Sequence, residues 1–274
     1  PRLSAQDGAP PSAVQFVSDD GPALAVSPSE TRVWESDGSV RTLSGSVRRI
    51  ECTPDQKLIL LELATDIVER NLPFQLRDKR CNVKLATFDD VTKVCFIPSS
   101  SRLASLSQSG DLRILEYSGN SSTLKEVACL HVGTAADLLL SPNGRLACLV
   151  IVDYPAIGKF HESSVWDLAE MKKKNITLSG WPETIRFSPD GEYVGSLAHK
   201  IGDMKKSSEL FHLPSERMIG TLPFSDHLVF HPAGGLLAVV ESGSRIAIWD
   251  MASWAKKSGF TGNSRPPGRH HGTG

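Results

Sequence analysis

One turn recurs along this chain, and its spacing limits what the chain can fold into. An apolar strand runs into Pro and small or polar residues at Thr53-Pro54-Asp55, Ile97-Pro98-Ser99, Ser141-Pro142-Asn143-Gly144, Ser188-Pro189-Asp190-Gly191 and His231-Pro232-Ala233-Gly234. A first copy without proline stands at Val17-Ser18-Asp19-Asp20-Gly21. Asp19, Pro54, Pro98, Pro142, Pro189 and Pro232 lie 35, 44, 44, 47 and 43 residues apart, which makes six units. A fixed period of roughly 20 to 50 residues is the mark of a repeat architecture and decides the fold before any single motif does.

Each turn is followed by a run suited to a strand buried on both faces: Ala23–Val26, Lys57–Leu63, Arg102–Leu106, Arg145–Val152, Tyr193–Ala198 and Leu236–Val240. A shorter apolar strand then carries an aromatic or its substitute, at Trp34-Glu35, Phe74-Gln75, Leu115-Glu116, Trp166-Asp167, Phe211-His212 and Trp249-Asp250. A fourth strand closes the unit, as in Val40–Ser44, Ile176–Ser179 and Met218–Leu222. Four short strands per unit of about 40 to 45 residues define a propeller blade. A β-sandwich or a pair of small β domains would need six near-regular turns, each with the same strand order behind it, to arise by coincidence.

Over nearly its full length the chain resembles the WD40-repeat family, most specifically in Ser188-Pro189-Asp190-Gly191 and in the Trp-Asp pairs at 166–167 and 249–250. The resemblance implies an all-β, WD40-like β-propeller with six four-stranded blades at about 12–45, 46–86, 87–130, 131–180, 181–223 and 224–262, and a disordered tail over 263–274. It also implies a platform for partner proteins. The family's Gly-His dipeptide is absent, and with it the expected His-to-Asp hydrogen bond of a blade. Units 2, 3 and 5 lack the Trp, so apolar packing is expected to hold the blades together.

Composition narrows the function. Thirty Lys and Arg against 31 Asp and Glu give a formal charge of −1, which speaks against a general attraction to nucleic acid or anionic membrane. Cys52, Cys81, Cys95, Cys129 and Cys148 form no CxxC pair, and most sit in apolar runs. They are read as reduced, buried, small hydrophobes. No apolar stretch approaches the roughly 20 residues that span a bilayer, and the expected location is the cytoplasm or the nucleus. The start at Pro1 suggests a fragment or a processed product.

Loop length points to a binding face. In a propeller, the loops from second to third strand share one face with those leading to the next blade. The extra length falls between second and third strands in units 2, 4 and 5, as Thr65–Pro73, Asp153–Ser163 and Lys200–Ser207. These insertions carry apolar side chains with no evident core to join, among them Ile67, Tyr154, Ile157, Phe160, Ile201 and Met204. Together with Trp181 they are the expected anchors for a peptide or protein partner. Lys172-Lys173-Lys174 and Lys256-Lys257 are expected in turns between third and fourth strands on the opposite face, where a phosphate-rich ligand could use them.

Support for catalysis is thin, because GxSxG, HExxH, Walker-type glycine loops and paired CxxC are all missing. If the chain were instead a hydrolase or lactonase-like propeller, Asp153, His161 with Glu162, and Asp203 would be its groups. No repeated acid occupies equivalent blade positions to hold a divalent cation, and the His270-His271 pair lies in the Gly- and Pro-rich tail. A non-catalytic scaffold without cofactor, metal or small-molecule substrate is therefore expected. Arg2-Leu3-Ser4-Ala5 resembles the blade endings Thr42–Gly45 and Thr177–Gly180, so it reads as the tail of a preceding blade. That predicts a piece of a propeller of seven or more blades. The alternative is a six-bladed ring in which residues 2–5 replace the weak fourth strand at Lys257–Gly262 of the sixth blade.

Overall fold

The computed structural model describes residues 13–16, 23–26, 30–34, 37–43, 47–53, 55, 57–63, 74–78, 83–118, 123–135, 137–151, 162–179, 184–197, 208–222, 225–241 and 245–261. They form six four-stranded antiparallel sheets, each built from consecutive strands in chain order. The first sheet holds β1 (Ala13–Phe16), β2 (Ala23–Val26), β3 (Thr31–Trp34) and β4 (Val40–Leu43). The second holds β5 (Val47–Cys52), β6 (Leu58–Leu63), β7 (Phe74–Asp78) and β8 (Lys84–Phe88). The third holds β9 (Val91–Phe96), β10 (Arg102–Ser107), β11 (Asp111–Tyr117) and β12 (Leu124–His131). β13 (Asp137–Leu140), β14 (Leu146–Ile151), β15 (Glu162–Asp167) and β16 (Lys172–Ser179) follow. The fifth contains β17 (Ile185–Phe187), β18 (Tyr193–Ser196), β19 (Ser208–His212) and β20 (Arg217–Leu222). The sixth contains β21 (Ser225–Phe230), β22 (Leu236–Glu241), β23 (Arg245–Asp250) and β24 (Ala255–Thr261). Two compact units arise, residues 1–140 with 168–171, and residues 141–167 with 172–274.

The recurring turn has a physical basis. In the first unit the Thr53 hydroxyl donates to Asp55 Oδ1 at 2.6 Å and accepts from the backbone N–H of Leu58 at 3.1 Å. In the second unit Ser141 donates to Asn143 Oδ1 at 2.7 Å and accepts from Leu146 N–H at 2.9 Å. Ser188 repeats the pattern with Asp190 and Tyr193. A hydroxyl before the proline and a carboxylate or amide after it therefore close the reversal and start the second strand in register. At His231 the ring Nδ1 accepts the Ala233 N–H at 3.2 Å and takes the hydroxyl's place.

Within the second unit neighbouring turns also interlock. Asn143 Nδ2 donates to the Asp190 carbonyl at 3.4 Å, and its side chain fills the space where a Cβ on Gly191 would stand. Gly191 has φ of +72°, a conformation that glycine takes without a steric penalty.

Apolar cores lie between successive sheets. Leu24 and Val33 pack with Val47, Ile59 and Leu61, and Phe74 and Leu76 pack with Val94, Phe96 and Leu103. In the second unit Leu210 and Leu222 pack with Leu228, Phe230, Leu237 and Val239. The second strands of sheets 2 to 5 are buried along nearly their whole described length because each is hydrogen-bonded on both sides and covered on both faces, whereas β22 alternates buried with half-buried residues.

Three expectations need correction. Register places Arg77, not Phe74, in the tryptophan position of the second sheet: Ile59 pairs with Arg77 as Leu237 pairs with Trp249, and Asp78 follows as Asp250 does. Phe74 is instead a core residue three positions earlier. Lys172–Lys174 and Lys256-Lys257 lie in β16 and β24 rather than in turns, since the outer strand of each sheet has one solvent-facing edge and accepts charge. Cys129, on β12, is exposed for the same reason, whereas Cys95 and Cys148 are buried and Cys52 is half-buried. Burial pushes the Cys95 thiol up to about 12 and raises that of Cys52. Cys81 falls outside the described residues, as do residues 1–12 and 262–274, which include Arg2–Ala5 and the tail. β24 occupies the outer side of β23, the place that the six-blade alternative reserved for residues 2–5.

Candidate interaction surface

All seven proposed anchors, Ile67, Tyr154, Ile157, Phe160, Trp181, Ile201 and Met204, lie outside the described residues, as do Asp153, His161 and Asp203. What is described is the framework that carries the insertions. Leu63 ends β6 and Phe74 opens β7, Ile151 ends β14 and Glu162 opens β15, Ser196 ends β18 and Ser208 opens β19. Each insertion thus connects the second strand of its sheet to the third.

The roots of these insertions are polar in an unusual way. Ser163, Ser196 and Ser208 are fully buried, and their hydroxyls have no hydrogen-bond partner among the described residues. Ser163 and Ser208 occupy the strand position that holds Phe74 in the second sheet and Leu112 in the third, three residues before the tryptophan position. Two large apolar side chains have been exchanged for small hydroxylated ones directly beneath two insertions. At the root of the insertion in sheet 2, Glu62 is almost fully buried, and Arg48 Nε stands 3.8 Å from its carboxylate.

The third sheet has a tight reversal where the second, fourth and fifth have insertions. Ser107 Oγ accepts the Asp111 N–H at 2.9 Å, Ser109 Oγ donates to Asp111 Oδ2 at 3.2 Å, and His131 Nδ1 lies 3.0 Å from Asp111 Oδ1. A His–Asp bond does exist here, contrary to expectation, with the histidine supplied by the end of β12. The imidazole beside it is the main reason that the Asp111 carboxyl is held below its usual range. No Gly-His signal could have revealed this bond, because the partner lies 20 residues downstream of the carboxylate.

On the side of the proline turns a groove of about 400 Å3 opens between the turns of sheets 2 and 3. Asp55, Lys57, Ser99, Ser101 and Tyr117 line it. The turn on its third-sheet side departs from the others: Ile97 stands where Thr53, Ser141 and Ser188 supply a hydroxyl, Ser100 stands where Gly144, Gly191 and Gly234 stand, and the left-handed residue is one place earlier, Ser99 with φ of +60°. Ser100 Oγ then donates to the Ile97 carbonyl at 2.9 Å. The Thr53 hydroxyl, followed by the Lys57 N–H, holds the Asp55 carboxyl below its usual range.

Three lysines of the two runs are engaged in ion pairs. Lys174 Nζ bonds Glu216 Oε1 at 3.0 Å, Lys256 bonds Glu241 at 2.8 Å, and Lys257 bonds Asp250 at 2.6 Å. Glu216 also accepts the Asn175 N–H at 2.8 Å, which caps the open edge of β16. That backbone bond, then Lys174, holds the Glu216 carboxyl below its usual range, and Lys257 holds Asp250 far below the carboxylate range. Among the described residues no three His, Cys, Asp or Glu side chains gather as metal ligands do.

No family model matches the chain, and no curated protein matches it. Among solved structures it is similar to a WD40-propeller chain in a crystal structure of the mitotic checkpoint complex, with a TM-score of 0.55 and 14% identity over 96% of this chain and 86% of that one. At that identity the likeness concerns the fold, which is that of a WD40-type β-propeller.

Proposed function

We propose that the protein is a non-catalytic scaffold that binds other proteins or peptides through the insertions of sheets 2, 4 and 5, in a reducing compartment such as the cytoplasm or nucleus. The observation that carries this reading is that all three insertions join a second strand to a third strand, so equivalent ends of three sheets bear them. Repeat folds concentrate insertions on the face they bind with. The similar chain of the mitotic checkpoint complex belongs to a multiprotein assembly, which agrees with this role. The engaged lysines of β16 and β24 leave less cationic surface for nucleic acid than their sequence suggests.

The test is affinity capture with the full chain, mass spectrometry to identify what is held, and repetition with a Tyr154→Ala, Phe160→Ala variant. Loss of two hot-spot side chains is expected to weaken binding of the identified partner by about tenfold or more, with the melting temperature changed no more than by a surface substitution. Equal affinity for variant and parent would move the site elsewhere.

A further inference from the structure

In the second unit successive proline turns interlock through the residue after the proline. The Asn143 side chain stands where a Cβ on Gly191 would be, and Asp190 Oδ2 lies 3.2 Å from the Cβ position of Gly234. A second closure lies two residues past the tryptophan position. There Leu213 and Met251 donate their N–H groups to the turn carbonyls of Glu192 and Gly235, and they are 1% and 4% exposed.

The first unit has neither closure between sheets 2 and 3. Asp55 follows the proline, but the next turn has Ser100, with a side chain, where the second unit has Gly191 and Gly234. The Thr53 hydroxyl and the Lys57 N–H hold Asp55 Oδ1 at 2.6 and 3.1 Å, and Lys57 Nζ holds Oδ2 at 3.1 Å, so the carboxylate stays with its own turn. Tyr117 stands in the place of Leu213 and Met251, its N–H on the Ser101 carbonyl at 3.2 Å, yet it is only half-buried. The groove of about 400 Å3 lies at this place. That volume is near the lower end for ligand pockets and suits one side chain with the backbone that bears it. The lining is neutral, because its one carboxylate and its one ammonium pair with each other at the rim, where both are more than half exposed. The hydroxyls of Ser99, Ser101 and Tyr117 engage no other described residue. A hydroxyl donates and accepts, which matches an uncharged group that carries both N–H donors and a carbonyl acceptor. A side-chain carboxamide has that chemistry, and a carboxamide, that of Asn143, is what the second unit places beside Gly191.

The geometry points to this groove as a second binding site, which takes an Asn or Gln side chain of a partner peptide between the proline turns of sheets 2 and 3. It lies at the opposite end of β6 from the insertion after Leu63, so it does not depend on what the insertions hold. The test titrates N-acetyl-L-glutamine amide, and its leucine, lysine and glutamate counterparts, into the isotope-labelled full chain and follows backbone amides by NMR. The glutamine compound is expected to give saturable shifts at Lys57, Ser99–Ser101 and Tyr117 with a Kd of about 1–10 mM, and the other three to bind about fivefold more weakly or worse. Tyr117→Phe, which removes one hydroxyl and keeps the ring, is expected to weaken the glutamine compound about fivefold. Asp55→Asn combined with Ser100→Gly gives this pair of turns the amide and glycine of Asn143 and Gly191, and is expected to abolish binding by filling the groove from within. No saturable shift with the glutamine compound, equal binding of the leucine or charged compounds, or undiminished binding by Tyr117→Phe or by the double variant would each overturn the inference.

Discussion

Phe74→Ala is expected to destabilise the protein by about 3–5 kcal/mol, measured as the shift in a urea or thermal unfolding transition. Phe74 is 1% exposed and packs with Leu58, Leu60, Leu76 and, across to the third sheet, Val94, Phe96 and Leu103. Removing its ring leaves a cavity bounded by two strand ladders, which have little freedom to collapse into it. The result also decides between two registers of β7. Were Phe74 in the tryptophan position, it would sit where Trp34, Trp166 and Trp249 sit, all of them only half-buried. Truncation there would cost much less. A loss below about 1 kcal/mol would contradict the register of Ile59 with Arg77.

Ser208→Ala and Ser163→Ala are expected to act in the opposite direction and stabilise the fold by about 1 kcal/mol each, roughly 2–4 °C in melting temperature. Both hydroxyls are fully buried without a partner among the described residues, so the folded state bears their desolvation while the unfolded state hydrates them. Alanine keeps the Cβ and removes the orphaned oxygen. Destabilisation by either substitution would mean that the hydroxyl is satisfied by the insertion above it. That outcome would reassign the serine as an anchor of the loop. Such positions, where local packing rules are broken under a proposed binding face, are where function is expected to compete with stability.

The six units were legible because their turns are chemistry rather than composition. A hydroxyl, a proline and a carboxylate or amide at fixed offsets do one job, and Thr53, Ser141 and Ser188 do it with the same bonds. The second strands were legible because burial on both faces forces an apolar run. The third strand of sheet 2 is harder to read because Phe74 has the aromatic ring that marks the tryptophan position elsewhere, while register is counted from Leu58, which pairs with Asp78. The outer strands were the hardest to read. β16 opens with three lysines and β24 contains two, and with one edge in water they have the composition of loops.

The site was legible only as a place. Insertion length marked the strand ends that carry it, and the serines beneath were invisible because a lone serine has no pattern until register shows that it replaces Phe74 or Leu112. The groove at Asp55 and Tyr117 lies beside a turn that departs from the pattern, with Ile97 in place of the hydroxyl that Thr53, Ser141 and Ser188 supply.

Hydrogen exchange of the protein with its identified partner bound, read by mass spectrometry on overlapping peptides, tests the central claim most directly. Amides that a partner covers slow their exchange, and those on the opposite side do not. The account predicts protection concentrated in peptides that span 64–73, 152–161 and 198–207, with little change in the proline turns at 53–57, 97–101 and 188–192. Protection confined to the proline turns and the groove at Tyr117, with the three insertions unchanged, would contradict it.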